Sequence, residues 1–384
     1  MVSYTFNMQR IALCLGLLAL SCAAHAQWEI ENSNSTADLR GIDNVGGGVA
    51  WASGTNGTVL RTEDGGYLWQ TCSVPPGAEH LDFRGVQAFD AHTAIVMSSG
   101  KGDLSRLYKT TDGCHSWKLL FTNPDKDGFW DALSFVIPNP RSHSKPQGVL
   151  IGDPVNGLFA TFVSANGGDT WTRWNAKDPK HQPKAHTGES LFAASNESLV
   201  SPGSNGPFAF VTGGADARVY LAEPHSPFDI GSWWALSSTT LRFPAGPTAG
   251  AFAIARRQIP NLPFAEFMVV GGDYAKPDLP GEAAFVSSPH HVFVEIRRAV
   301  LPQQSPHGYR SAVAYDDSAK TWITVGPNGT DISTDDGRNW RALRPDPTRH
   351  EATDADRNWN ALSLPFVVGP HGRIGKLNPK TLTP

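Results

Sequence analysis

The sequence predicts an all-β fold, a seven-bladed β-propeller of four-stranded blades, and three observations carry that reading. A short phrase recurs four times: TEDGGYLW (Thr62 to Trp69), KTTDGCHSW (Lys109 to Trp117), SANGGDTW (Ser164 to Trp171) and STDDGRNW (Ser333 to Trp340). Its spacing of roughly 50 residues, or a multiple of it, is that of a radial or solenoid repeat. Between and beyond these phrases, three short apolar strands recur in the same order seven times. The seventh unit ends without a fourth strand, and a matching Trp-x-apolar segment, Trp28-Glu29-Ile30, stands near the other end of the chain.

The phrase suits a hairpin turn. Asp64, Asp112 and Asp335 offer a carboxylate to loop N–H groups, Asn166 replaces the acid in the third copy, and Gly66, Gly168 and Gly337 supply positive φ. Cys114 stands where the second copy should have glycine. Trp69, Trp117, Trp171 and Trp340 then open the next strand as apolar wedges between units.

The first strands read LRGI (Leu39 to Ile42), FRGV (Phe83 to Val86), WDAL (Trp130 to Leu133), GESL (Gly188 to Leu191), AGAF (Ala249 to Phe252), YRSAV (Tyr309 to Val313) and WNAL (Trp359 to Leu362). Each is followed by an apolar run closing in glycine, at Gly54, Gly100, Gly152, Gly214, Gly272, Gly326 and Gly369, and then by a third strand such as TVLRT or RLYKT. Fourth strands begin at Trp69, Trp117, Trp171, Trp233, Val292 and Trp340. Short strands with turn signals at this regularity favour a propeller over a sandwich, and strand Trp28–Ile30 would complete blade 7 and remove the open edge.

Residues 1–26 read as a signal peptide: an n-region to Arg10, an apolar run from Ile11 to Leu20, and Ala24-His25-Ala26 as a small-x-small cleavage site. The run is shorter than the roughly 20 residues a membrane helix needs. Cys22 offers anchoring as a lipoprotein instead, but Ala19 stands where a lipobox prefers Leu. The expectation is an exported chain, periplasmic or secreted, cleaved after Ala26, with residues 27–384 as a single monomeric propeller domain and no integral membrane span. A formal net charge of -4 without a basic stripe argues against a nucleic-acid partner. Cys72 and Cys114 fall at corresponding edges of adjacent repeats. In an oxidising compartment a disulfide follows, stabilising by roughly 4 kcal/mol in the chain-entropy model.

With the units laid out, the chain resembles the photosystem II stability/assembly-factor-like family of Asp-box (BNR repeat) seven-bladed propellers. The resemblance rests on the four turns, the Trp-x-Ile segment and the opening LRGI…AWASGTNGTVLRTEDGG, and it spans essentially all of residues 27–384. It implies that the Asp-box is a structural turn away from the central site. It implies binding and chaperoning of assembly intermediates in photosynthetic members, without accepted chemistry.

Propellers bind where inner strands converge at one mouth of the central channel. The polar position opening the first strands holds Arg40, Arg84, Asp131, Glu189, Arg310 and Asn360, with Ala249 in blade 5. Trp130 and Tyr309 accompany them, and DKDGFWD (Asp125 to Asp131), His186, His307, Asp356 and Arg357 lie on loops reaching the same mouth. Guanidinium forks suit a carboxylate, sugar or peptide group; the bland alternative is a wet inner ring whose Arg and carboxylate side chains satisfy one another. The Gly152-Asp153 and Gly272-Asp273 steps read as turn caps. No His spacing of the H-x-x-x-H or H-E-x-x-H kind, no G-x-S-x-G elbow and no phosphate or dinucleotide loop occurs, so no metal and no cofactor are expected.

Two functions follow. The first is a non-catalytic binding or assembly propeller that grips a protein segment or a small anionic or carbohydrate ligand at an Arg-lined mouth. The second is a sialidase-like glycoside hydrolase in which three Arg clamp a carboxylate and Glu189 and Asp131 do acid, base or nucleophilic work. Phe83-Arg84 resembles the start of the sialidase Phe-Arg-Ile-Pro signature, but Gly85 and Val86 depart from it. Those enzymes have six blades, not seven.

Overall fold

The computed structural model describes residues 27–138, 144–174, 182–201, 208–226, 229–258, 265–287, 299–345 and 352–382. They form seven antiparallel sheets in a ring. Blade 1 comprises Leu39–Gly46, Val49–Gly54, Val59–Thr62 and Gln70–Thr71, and blade 2 comprises Phe83–Ala88, Ala94–Ser98, Arg106–Thr110 and Lys118–Thr122. Blade 3 runs through Trp130–Val136, Gln147–Val155, Leu158–Ser164 and Thr172–Arg173. Blade 6 runs through Ala312–Asp316, Thr321–Gly326, Gly329–Ser333 and Arg341–Leu343. Blade 7 takes Ala361–Ser363, Phe366–Val368 and Ile374–Leu377 from the end of the chain and Trp28–Glu31 from its start, with Trp28 opposite Leu377 and Glu31 opposite Ile374. Among the described residues no helix is long and apolar enough to cross a membrane.

The four repeated turns close with one hydrogen-bond network. The hydroxyl of Thr62, Thr110, Ser164 or Ser333 bonds the side chain two residues on, at 2.8–3.0 Å. It also accepts the N–H four residues on, at 3.0 Å. Asp64, Asp112, Asn166 and Asp335 then accept the N–H four residues further. Asn166 works because its amide oxygen takes the acid's place, while its NH₂ donates to the Thr170 hydroxyl at 2.9 Å. Cys114 adopts the left-handed conformation (φ 65°) that glycine takes in the other copies and forms a disulfide with Cys72, which ties blade 2 to blade 1.

The tryptophans after the turns pack back on the preceding blade. Trp69 meets Phe366 of blade 7 edge-on at 5.5 Å. Trp171 joins Ile95 of blade 2, and Trp340 joins Met268 of blade 5. Trp117 is only half-buried, against Trp51 of blade 1. Trp28 does the same for the closing strand: fully buried, it packs on Ile323 and Val325 of blade 6, and its indole N–H donates to Thr330 Oγ1 at 3.0 Å.

Blade 4 departs from expectation. The predicted first strand, Gly188 to Leu191, is only a two-residue pair, Glu189–Ser190 against Gly213–Gly214. The chain then leaves the sheet and returns as Leu199–Val200, which pairs with Phe208–Val211; Arg218–Ser226 and Asp229–Thr240 complete the blade. In blade 5, the strands Gly246–Gln258, Ala265–Asp273 and Glu282–Ser287 are followed by a bridge from Val300 to Phe285. Val292, where the fourth strand was expected to start, lies outside the described residues.

The excursion between Leu191 and Leu199 fills the centre of the ring. Asn196 accepts the N–H of Leu133 at 2.9 Å and donates to its carbonyl at 3.0 Å, clasping blade 3. The Ser195 hydroxyl donates to the Ser311 carbonyl at 2.7 Å. The Glu197 carbonyl accepts the N–H of Ile254, and its carboxyl accepts those of Val313 (2.8 Å) and Leu362 (3.1 Å). One short segment thus binds the inner strands of blades 3, 5, 6 and 7 and converts a through-channel into a blind cup.

Candidate functional site

One backbone hydrogen bond fixes the register at the mouth. The N–H groups of Thr55, Ser99, Asp153, Ala215 and Tyr274 donate to the carbonyls of Asp38, Asp82, Phe129, Gly188 and Thr248. In blades 6 and 7 the donor position is Pro327 or Pro370, and Gly326 and Gly369 pack on the carbonyls of Tyr309 and Asn358. Two residues after each acceptor stand Arg40, Arg84, Asp131, Ser190, Gly250, Ser311 and Asn360. One residue after it stand Leu39, Phe83, Trp130, Glu189, Ala249, Arg310 and Trp359, every one of them buried.

Four of the expected ring residues, Arg40, Arg84, Asp131 and Asn360, therefore line the mouth together with Tyr309. Glu189 and Arg310 do not. They sit one residue out of register, where a strand turns its side chain to the opposite face. There they replace the inter-blade hydrophobe with a buried ion pair. Glu189 is held by Arg218, whose Nε is 2.9 Å from Oε1, and also accepts from the Thr212 hydroxyl and the His186 N–H. Arg310 donates through Nε to Asp331 Oδ2 at 2.8 Å and through Nη1 to the Tyr309 carbonyl and Asn328 Oδ1. Trp130 is likewise fully buried between blades, and Phe129 takes its expected place at the mouth. His186 pairs with Asp216 away from the cup, and His307, Asp356 and Arg357 line a separate, smaller cavity of about 240 Å³.

The cup at the mouth has a volume of about 570 Å³, and Leu191 to Ala194 of the central excursion form its floor. Asp82, not singled out from the sequence, lies between the two mouth arginines: Arg40 Nε is 3.2 Å from Oδ1 and Arg84 Nε 2.8 Å from Oδ2. Arg84 Nη1 donates to the Ala193 carbonyl at 3.0 Å. Among the described residues no hydrogen bond uses the terminal nitrogens of Arg40 or Nη2 of Arg84. One carboxylate for two guanidinium groups leaves that wall with a net positive charge.

Next to it are two carboxyls. Asp131 is 1% exposed; burial, reinforced by the neighbouring Asp153, holds its pKa well above the ordinary carboxylate range, with Arg84 pulling the other way. Burial raises Asp153 to about 6, against the pull of the Leu191 N–H that it accepts at 3.0 Å. Asp153 is thus both a cap, as the Gly-Asp step suggested, and a wall of the cup. Asp273 is a cap alone, accepting from Thr248 and Ala275.

The opposite wall is aromatic. Phe192 stacks on Phe252 with centroids 4.1 Å apart, and Tyr309 and Tyr274 meet Phe252 edge-on at 4.7 and 6.1 Å. Tyr309 was expected; Phe192, Phe252 and Tyr274 were missed, although Phe192 and Phe252 sit beside first-strand positions. The available signal for the buried ion pairs was a charge on the third strand of the same unit, Arg218 in RVYLA and Asp331 in GTDIS. Among the described residues no group of three or more His, Cys, Asp or Glu side chains is placed to hold a metal ion.

No protein-family model matches this sequence, and no curated protein matches it. Solved structures do. YCF48 bound to D1 peptide is 16% identical over 94% of this chain and 96% of that one, with a TM-score of 0.57. YCF48 from Cyanidioschyzon merolae is 18% identical over 92% and 100%, with a TM-score of 0.54. The WD40 propeller domain of Doa1 is 12% identical over 93% and 98%, with a TM-score of 0.53. At these identities the likeness is one of fold.

Proposed function

We propose that this chain is an exported, non-catalytic binding propeller that captures a protein segment or small ligand through an anionic group at the Arg40–Arg84 side of the blind cup. The observation that carries the reading is the pair of guanidinium groups that line the cavity and share the one carboxylate of Asp82. Such forks bind carboxylates bidentately, and the aromatic wall opposite supplies apolar contact. YCF48, similar in fold, has been solved with a D1 peptide bound, which supports a peptide as one of the candidates. The sialidase-like alternative loses one of its two named carboxyls, because the Glu189 side chain is 0% exposed and committed to Arg218.

Arg40→Ala combined with Arg84→Ala is expected to weaken capture of an acidic peptide in a pull-down from the native envelope by tenfold or more, while the melting curve keeps its shape. Loss of charge-assisted bonds worth about 1.5–3 kcal/mol each sets that scale. An unchanged partner profile would remove the arginines from the function. Export has its own check: the mature protein's N-terminal sequence is expected to begin at Gln27, and a first residue of lipid-modified Cys22 would mean anchoring instead.

A further inference from the structure

Cationic and anionic groups meet in the cup within the span of three residues, Leu191 to Ala193. Arg84 donates to the carbonyl of Ala193, and Asp131 faces the N–H of the same residue. Asp153 takes the N–H of Leu191, and Phe192, between these two anchor points, begins the aromatic wall. Asp131 Oδ2 is buried without a hydrogen-bond partner, a condition that disfavours the free state. The one guanidinium beside it, Arg84, is already engaged by Asp82. Asp131 Oδ2 therefore lacks a donor, and the terminal nitrogens of Arg40 and Nη2 of Arg84 lack an acceptor beyond the one carboxylate of Asp82.

We propose that the cup binds an aromatic α-amino acid. Its carboxylate takes the outer nitrogens of Arg40 and Arg84, its ammonium sits against Asp153 with Asp131 directly behind, and its ring lies on the wall of Phe252, Tyr274 and Tyr309. This deepens the anionic-ligand reading above and rests on it. An internal peptide segment brings no ammonium beside its carboxylate, and a neutral sugar brings neither charge, so both leave the Asp131–Asp153 pair unanswered. A cavity of about 570 Å³ is in the range of small-molecule sites. An ammonium placed there favours ionised carboxyls, so occupancy releases protons.

The test is calorimetric titration of the purified protein near pH 6 with L-phenylalanine, N-acetyl-L-phenylalanine and L-phenylalanine amide, in two buffers of different ionisation enthalpy. L-Phenylalanine is expected to bind at least tenfold more tightly than either blocked form. Proton release is expected with the two free amines and not with the N-acetyl compound. Asp153→Asn is expected to abolish the preference for the free amine while N-acetyl-L-phenylalanine binds as before. Equal affinity for the acetylated and free forms, or no binding of L-phenylalanine, overturns the proposal. If L-phenylalanine fails while acidic peptides are captured in an Arg40- and Arg84-dependent way, only this narrower assignment falls; if the double arginine variant changes nothing, both readings fall.

Discussion

Asp331 holds two partners at once. Its Oδ1 lies 2.8 Å from His307 Nδ1 and its Oδ2 takes the Nε of Arg310, which is 0% exposed. Burial disfavours its charge, but the His307 hydrogen bond and the Arg310 charge together outweigh that and set its pKa below the ordinary 3.8. A carboxyl depressed by folding adds stability above its unfolded pKa and loses it as pH falls through the folded one. Asp331→Asn leaves Arg310 buried without a counter-charge and is expected to destabilise by about 3–5 kcal/mol in urea denaturation at neutral pH. The wild type should also lose stability below about pH 4 more steeply than the variant; parallel acid limbs would mean that the pair does not hold the blade. The types of Glu189 and Arg310 were legible in the sequence, but their direction was not. Glu189 and Arg310 match the polar mouth position by type, and only the Arg218 and Asp331 charges on the third strands show that they point the other way.

The segment between Leu191 and Leu199 is the element that most changes the molecule. Burial in the ring centre moves the Glu197 carboxyl from 4.5 to about 8, against the pull of the Val313 and Leu362 N–H groups. An acid raised by folding holds its proton better folded than unfolded. Its contribution is complete below about pH 4.5 and decays as pH rises toward 8. Glu197→Gln is expected to flatten the fall of unfolding free energy across that window, at a cost of about 1 kcal/mol near pH 5 because an amide NH₂ faces a backbone N–H. Identical slopes for the two proteins would show that Glu197 does not titrate in the ring. The repeated turns were readable because each closes within a phrase of eight residues, hydroxyl, acid and glycine all in one place. The central excursion was not, since nothing in LFAASNES is periodic and its bonds reach Leu133, Ile254, Val313 and Leu362, far away in the chain. Strand counting therefore recovered the seven blades and four mouth residues but mistook a two-residue pair for an inner strand.

At the scale of the ring, Trp28 has the widest reach. It is fully buried between blades 6 and 7 and sits on the strand that completes the last sheet. Trp28→Ala is expected to lower stability by about 3–5 kcal/mol, read as a shift in denaturation midpoint shared by all probes. A local loosening of blade 7 that left the other six blades at their original midpoint would show that the ring is not one cooperative unit. Because residues 28–31 pair with residues 374–377, the joint that seals the ring cannot form until residue 377 has left the ribosome. The early blades must wait, stacked but unlatched, until that strand has emerged, and their unfinished flank is then the part most in need of shelter.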